Sequence, residues 1–600
     1  MRHRHEMPFG AQYAEAATRF RFWAPACETV RLELGSEKPR SIAMDRGEGG
    51  WHEVRVAAVR PGDAYAFRFR DDGDAVPDPA SRSNPRDVNR PSAVVDPRAY
   101  EWHDDSWSGR PWHEAVVYEL HVGTFTQAGT YLAAIEKLAY LVQLGVTAIE
   151  LMPLADFAGR RNWGYDGVLP FAPDSAYGSP EDLKRLVDAA HQRGLMVLLD
   201  VVYNHFGPEG NYLSLYAPQF FNAAHQTPWG AAINFDGDQS RTVRDFFVHN
   251  ALYWIEEMRF DGLRMDAIHA IADDSPRHIV TEIAAAVAAG PGRTRRVHLV
   301  LENDRNQAGL LERDSHHCAK AQWNDDAHHA FHVLVTGERD GYYRDYADRP
   351  AWHLGRTLAE GFAYQGEPST HRAGEARGEP SAHLTLDTFV PFLQNHDQVG
   401  NRALGERLTL LASPQALRLA SAVLLLAPSV PLIFMGEEFG ARSPFLYFCD
   451  FKGELANAVR DGRRREFASF DRFAGDSAQS IPDPNAEKTF VDSKLPWDEI
   501  VRGEHAQWLA HYRDLLKLRA REITPRLANG TRGAFAAIGT TGVKVDWTLG
   551  EGSRLHLRAN FSAEPAAFEA APGEALHTEG AAPIGQTLAA WSGAWTLERA

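Results

Sequence analysis

Four short segments end runs of apolar residues on polar groups that include an acid: residues 200–205 (DVVYNH), 262–266 (GLRMD), 300–303 (VLEN) and 394–397 (QNHD). A carboxylate at the end of a buried strand loses water, so it must be compensated by partners or used for chemistry. Asp266, Glu302 and Asp397 form the candidate catalytic set. Two carboxyl groups flanking one bond are the usual equipment of glycoside hydrolysis, one acting as nucleophile or base and the other as acid. A third acid can hold sugar hydroxyls. A single strand-terminal Asp is more often a helix N-cap or loop anchor, but four such segments in order favour a catalytic constellation.

The elements that must position these groups follow from the apolar pattern. From residue 115 onward, apolar strands alternate with amphipathic helices, the signature of parallel β/α architecture. Candidate strands cover 116–122, 148–154, 196–202, 262–266, 298–303, 321–324, 388–394 and 430–436. Helices are expected at 131–145 and 179–194, the second opening on Ser179 as N-cap with Asp182 three residues on. Eight β/α units predict a closed TIM (β/α)8 barrel, a fold that carries its catalytic residues at the C-terminal ends of the strands. The four acid-bearing segments end the third, fourth, fifth and seventh strands, so their side chains converge over one mouth.

Before the barrel, residues 18–69 alternate apolar with polar or basic residues in short stretches, which predicts a small β-sandwich. A proline-rich stretch at 76–90 separates the two. After residue 529 short alternating stretches return, VKVDWTL and RLHLRANF being the clearest, and predict a small C-terminal β domain. The expected domains are 1–95, 96–528 and 529–600. Two excursions, at 366–382 and 451–497, are long enough to be functional or disordered.

Composition narrows the partners. The 80 acidic and 63 basic residues give a formal net charge of -17, which argues against nucleic acid and favours a neutral substrate. The apolar run at 419–434 is broken by Pro428 and Pro431, so it reads as a core helix followed by a strand, not as a membrane span. The N-terminus lacks the apolar stretch of a signal peptide. Cys27, Cys318 and Cys449 are widely separated and read as reduced thiols, placing the chain in the cytoplasm. The histidine clusters HHC (316–318) and DDAHH (325–329) lack the spacing of a metal site.

DVVYNH, GLRMD, VLEN and QNHD resemble, in order and approximate spacing, the four signature regions of the α-amylase clan, glycoside hydrolase family 13. The resemblance implies that Asp266 is the nucleophile, Glu302 the general acid/base, and Asp397 a group that binds hydroxyls and stabilises the transition state. Arg264 would orient Asp266 and keep it ionised, His205 and His396 would hydrogen-bond sugar hydroxyls, and Asp200 would support the site from behind. Tyr165, in NWGYD, reads as ordinary packing or as a platform under a sugar ring, and its loop position after the second strand favours the platform. His121 ends the first strand as a structural group or a substrate contact. Asn204 matches a calcium-binding position of many amylases, but Ala270 stands where those enzymes place a metal-binding histidine. No metal and no cofactor are therefore expected. His269, one residue earlier, could face the substrate instead.

Longer strings resemble one subgroup, the maltooligosyltrehalose trehalohydrolases: NWGYDGVLPFAP, LVLENDRNQAGLL, QWNDDAHHAFHVLVTGE, QNHDQVGNRALGERL, GRRREFASF and IPDPNAEKTF. Such enzymes cut the α-1,4 bond next to a terminal trehalose, so maltooligosyltrehalose and related α-glucans are the expected partners. A site for the bent α,α-1,1 disaccharide needs aromatic and hydroxyl-matching groups. Asp304, Arg305 and Asn306 after the acid, and Gln398 and Asn401 after Asp397, are the candidates, with Trp323, Asn324, Asp325 and Glu437 as weaker ones. The N-terminal RFRFWAP resembles glycogen-associated carbohydrate modules, which fits branching and debranching enzymes as well. A glycogen branching or debranching enzyme is the alternative within the clan, and a non-catalytic glucan-binding protein the alternative outside it.

Overall fold

The computed structural model describes residues 2–70, 73–227, 230–312, 319–467, 480–528 and 530–600. The HHC cluster, with Cys318, and the end of the GRRREFASF string lie outside them.

Eight parallel strands form the central barrel: Val117–Leu120, Ala148–Leu151, Met196–Val201, Gly262–Met265, His298–Leu301, Ala321–Trp323, Phe389–Val390 and Leu432–Phe434. The first seven pair in chain order and the eighth pairs with the first, while a single parallel bridge from Phe392 to Leu432 spans the gap between the seventh and eighth. All eight expected strands are thus present, somewhat shorter than drawn. Their sides are covered both by helices and by the barrel filling, which is why they read as unbroken apolar runs. The filling mixes small with large side chains, Ala148 and Ala321 against Met196, Trp323 and Phe392, as layered barrel packing requires.

Local signals account for the helices. Ser179 Oγ accepts the Asp182 N–H at 3.1 Å and Asp182 accepts the Ser179 N–H at 3.0 Å, a reciprocal cap that opens the helix Pro180–His191. The helix expected at 131–145 is broken into Tyr131–Ile135 and Leu138–Leu144, ending at Gly145 with φ 109°. The apolar run at 419–434 divides into the end of helix Pro414–Leu426 and the last barrel strand. Among the described residues no helix is long and apolar enough to cross a membrane.

Ahead of the barrel stand two four-stranded antiparallel sheets, together running from Gly10 to Ala93. They dock through buried Arg82, whose Nε donates at 3.0 Å to Glu257, the residue that ends the barrel helix Ser240–Glu256, while Nη1 and Nη2 donate to the Ala11 and His5 carbonyls. A buried cation demands such complete pairing. Five antiparallel strands from Arg532 to Glu598 make the C-terminal sheet, tied to the barrel by Trp547 Nε1 donating to Leu358 O at 2.7 Å. The excursion at 366–382 holds a small hairpin, Glu367–Pro368 with Ala376–Arg377. That at 451–497 holds the helices Gly453–Phe467 and Glu487–Asp492.

Candidate active site

Barrel register brings the key groups together. Asp200 pairs with Arg264 on the neighbouring strand, and Met265 pairs with Leu301, so Asp266 and Glu302 stand next to each other one step beyond. Alternation along the strand puts Arg264 and Asp266 on one face. Arg264 is wholly buried and its guanidinium serves three carboxyls: Nη1 donates to Asp200 Oδ2 at 2.7 Å and Asp266 Oδ1 at 2.8 Å, and Nη2 donates to Glu302 Oε2 at 2.8 Å. The guanidinium lies 4.1 Å from the centroid of the Trp323 ring, a cation–π contact that fixes its plane.

Each acid has a second support. Asp266 Oδ2 accepts Asn204 Nδ2 at 2.7 Å, and the same amide reaches the Asp266 carbonyl at 3.0 Å. Asn204 is therefore turned onto Asp266. Glu302 Oε2 accepts the Ala267 N–H at 2.8 Å. Ala267 holds φ 39°, a left-handed conformation that costs a non-glycine residue about 1–2 kcal/mol, and this turn is what aims its N–H at the acid.

The two carboxyls differ in ionisation. Burial pushes Asp266 up, but Arg264, the Asn204 amide and the nearby histidines outweigh it and hold the carboxyl below its usual range. Burial drives Glu302 well above the carboxylate range, assisted by Asp266, Asp397 and Asp325 and only partly opposed by Arg264. Environments that separate two acids in this way make one a ready anion and the other a proton donor at neutral pH. Burial likewise raises Asp200 to about 6 against Arg264.

Asp397 lies in the first turn of the short helix His396–Gly400, which Asn395 caps by accepting the Gln398 N–H at 2.9 Å. Its Oδ1 accepts Asn401 Nδ2 at 3.0 Å. Beside it, Tyr165 stacks on His396 with ring centroids 5.0 Å apart, and its hydroxyl donates to Asp200 at 2.6 Å. His205 Nε2 donates to the Tyr165 carbonyl at 3.0 Å and Nδ1 meets Asn204 Oδ1, while burial lowers its pKa.

A cavity of about 220 Å³ opens beside Glu302 and Asp397. Of the expected contacts, Asp304, Trp323, Asp325, Gln398 and Asn401 line it. Burial raises Asp325 to about 7, against the opposing pull of Arg377 in the same cavity. Asp304 is braced by Arg372 Nη2 at 2.6 Å on its carboxylate and by Arg377 Nε at 2.9 Å on its carbonyl.

The remaining candidates are placed elsewhere. Arg305 is exposed and is not part of the cavity lining. Asn306 turns inward at φ 52°, its amide donating to Asp326 at 3.0 Å and accepting from Gln322 at 3.2 Å, so both ends of the side chain are engaged within the protein. His269 is half-buried beside Asp304, accepting its N–H at 3.5 Å, and burial lowers its pKa. Asn324 caps the helix Asp325–Thr336 and donates to Gly361 O. Glu437 is buried between Gln394 and Tyr512. His121 is buried, with Nε2 on Asn162 O at 2.9 Å and Nδ1 on Thr124 Oγ1 at 3.1 Å, a structural arrangement.

Several lining residues had no signal of their own in the sequence: Tyr342, Tyr346, His371, Arg372 and Arg377. The last three lie in the 366–382 excursion, whose length was the one available hint. Among the described residues, the one group of three side chains close enough to share a metal ion is His225, Asp236 and Asp274, away from these acids in sequence. In it His225 already pairs with Asp236 at 2.8 Å. His328 and His329 are buried on their helix, and His328 is engaged by Leu393 O and Tyr343 Oη.

Comparison with known proteins adds the lineage. Residues 121–251 match the alpha amylase catalytic domain, residues 8–85 match carbohydrate-binding module 48 (isoamylase N-terminal domain), and residues 530–595 match a domain of unknown function, DUF3459. The malto-oligosyltrehalose trehalohydrolase of Deinococcus radiodurans is 44% identical over 518 residues, which cover 86% of this chain and 83% of that protein. That of Saccharolobus solfataricus is 41% identical, covering 86% of this chain and 87% of the relative. The crystal structure of a candidate alpha amylase from Salmonella typhimurium superposes with a TM-score of 0.94 at 46% identity, covering 99% of this chain and 100% of the other. With these relatives alike over most of their length, the chain belongs to the malto-oligosyltrehalose trehalohydrolases of the α-amylase family, glycoside hydrolase family 13.

Proposed function

We propose that this protein is a retaining glycoside hydrolase that cleaves the α-1,4 bond adjacent to the terminal trehalose of maltooligosyltrehalose, releasing trehalose and a maltooligosaccharide. The observation that carries the chemistry is the single guanidinium of Arg264 bridging Asp266 and Glu302. One shared cation fits the close class of carboxyl pairs, about 5 to 5.5 Å apart, used for covalent glycosyl transfer, and not the wider inverting class. Asp266 attacks the anomeric carbon while Glu302 protonates the departing glycosidic oxygen. Glu302 then deprotonates the water that releases the sugar from Asp266. Asp397 holds hydroxyls of the sugar being cleaved, with His205, His396 and Tyr165 around it and Asp200 behind.

The cavity beside Glu302 receives the leaving group. Its polar lining, Asp304, Asp325, Gln398 and Asn401, and its aromatic surface at Tyr342 suit a disaccharide that is rich in hydroxyls and has no reducing end. The buried free thiols of Cys27 and Cys449 suit a cytoplasmic enzyme.

Maltotriosyltrehalose and maltopentaose incubated in parallel test the substrate. Strong preference for the first is expected, with trehalose and maltotriose as products and the new reducing end appearing first as the α-anomer by NMR. Equal cutting of both would remove the trehalose assignment, and new α-1,6 branches would favour the branching-enzyme reading. Glu302→Gln separates an enzyme from a glucan-binding protein: kcat/KM is expected to fall by about 10²–10⁴-fold. Wild-type activity should fall as pH rises through the elevated Glu302 pKa, because the protonated form is the donor. In the variant that alkaline limb should vanish.

A further inference from the structure

Glu119 sits in the first barrel strand, 1% exposed, and both of its oxygens meet one residue. Oε1 contacts His396 Nδ1 at 2.5 Å and Oε2 accepts the His396 N–H at 3.1 Å, joining the first strand to the helix after the seventh. On the other side of the ring, Nε2 lies 2.7 Å from Tyr165 Oη and 3.5 Å from Asp397 Oδ2. Tyr165 Oη is 2.6 Å from Asp200 Oδ2, which also accepts Arg264 Nη1 at 2.7 Å. A continuous chain of contacts therefore runs from Glu119 to the guanidinium that holds Asp266 and Glu302.

Tyr165 has one hydroxyl proton and two neighbours able to accept it. If His396 is an imidazolium, Nε2–H donates to the tyrosine oxygen and the hydroxyl proton goes to Asp200. If the ring is neutral, the remaining proton stays on Nδ1 against Glu119, Nε2 presents a lone pair, and the tyrosine proton turns to it. Asp200 then keeps only Arg264 and competes with Asp266 for Nη1. We propose that Glu119 is a positioning residue: through His396 it sets the direction of the His396→Tyr165→Asp200 hydrogen-bond chain, and with it the sharing of Arg264 between Asp200 and Asp266.

The surroundings of the ring agree with this role. The groups facing His396 are Glu119 from the first strand and His121 just after it, Glu150 from the second, Tyr165, Asp200, Arg264, Asp266 and its own chain neighbour Asp397. Burial lowers the ring pKa, but Asp397 and Glu119 outweigh it and raise it to about 9. Burial lifts Glu150 well above the carboxylate range. Glu119 is the carboxylate that bonds His396 through both oxygens, at the ring and at the backbone N–H.

The test rests on the reading above only for its substrate. With maltotriosyltrehalose, Glu119→Gln is expected to lower kcat/KM by ~10-fold at pH 6 and ~100-fold at pH 8, because the ring pKa falls toward the ordinary value of about 6.5. Glu119→Asp, which keeps the charge, should lose the same factor at both pH values. Substrate-free ¹⁵N NMR of the histidine rings should show His396 charged up to about pH 9 in the wild type and titrating at least one unit lower in Glu119→Gln. Should Glu119→Gln not fold, Tyr165→Phe interrupts the same chain, and a fall in kcat is expected. An equal loss at both pH values in Glu119→Gln, an unchanged His396 titration, or undiminished kcat in Tyr165→Phe would overturn the proposal. A wild type that releases no trehalose would sink the substrate reading instead, and the NMR titration would still decide the role of Glu119.

Discussion

Replacing Asp266 with alanine is expected to lower trehalose release by a factor on the order of 10⁴ or more, and azide is expected to restore turnover with a β-maltotriosyl azide as product. Asp266 is held as an anion by Arg264 on one oxygen and Asn204 on the other, which suits the glycosyl ester proposed to form on it. Asp266→Ala removes that step but leaves Glu302 and its Ala267 and Arg264 contacts in place, so the leaving group can still be protonated. The missing carboxylate vacates space for a small anion on the face from which Asp266 is proposed to attack. Attack from there in one displacement inverts the α-linkage. NMR of the azide adduct reads the outcome directly. An α-azide would mean attack on a glycosyl-enzyme formed elsewhere, and a folded variant giving no adduct would leave Asp266 without its assigned role. Glu302→Gln offers the converse control: azide should there trap the glycosyl ester from the opposite face and give the α-azide.

The barrel was legible because parallel strands covered on both faces leave long apolar runs, and because the acids that end them break the pattern abruptly. Arg264, Asp266 and Glu302 fall together in space for the reason the spacing suggests: alternation on one strand and register with the next. Glu119 was missed although it stands in an equally clear strand. A single carboxyl inside an apolar run shows that it points into the barrel, but not that it meets a histidine 277 residues away. Neighbourhood in the chain also misled. Asn306 follows the acid closely, yet its positive φ turns it toward Asp326 and Gln322, and Arg305 faces solvent. Tyr342, Arg372 and Arg377 reach the cavity from a single short 3-10 helix and a small hairpin between the sixth and seventh strands, elements too short to carry a period from which direction could be inferred. Asp266 and Glu302 thus directly follow regular strands, and much of the cavity lining comes from the connections between strands.

Arg264→Met is expected to cost activity by about 10³-fold or more and to destabilise the fold by about 3–5 kcal/mol, the loss typical of breaking a buried ion pair. The methionine keeps much of the side-chain bulk over Trp323 but removes the cation that Asp200, Asp266 and Glu302 share. Like charges in so dry a site cannot all remain ionised, and the carboxyls take up protons. The direction of the pH effect follows. In the wild type Asp266 lies below its unfolded value, so its contribution is present above that value and is lost as pH falls. In the variant its folded pKa rises above the unfolded one, joining Asp200 and Glu302, so stability is greatest below about pH 4 and declines as pH climbs through the raised values. The difference in melting temperature between wild type and Arg264→Met should therefore widen from pH 5 to pH 8. Activity should suffer for the same reason, because a nucleophile that ionises only at high pH no longer shares a working range with an acid that must stay protonated. Arg264→Lys separates the two effects. Its single ammonium restores a charge to the cluster but lacks the planar fork that reaches Asp266 and Glu302 together, so it should recover more stability than activity. A melting difference that is the same at both pH values would show that carboxylate repulsion is not what Arg264 relieves.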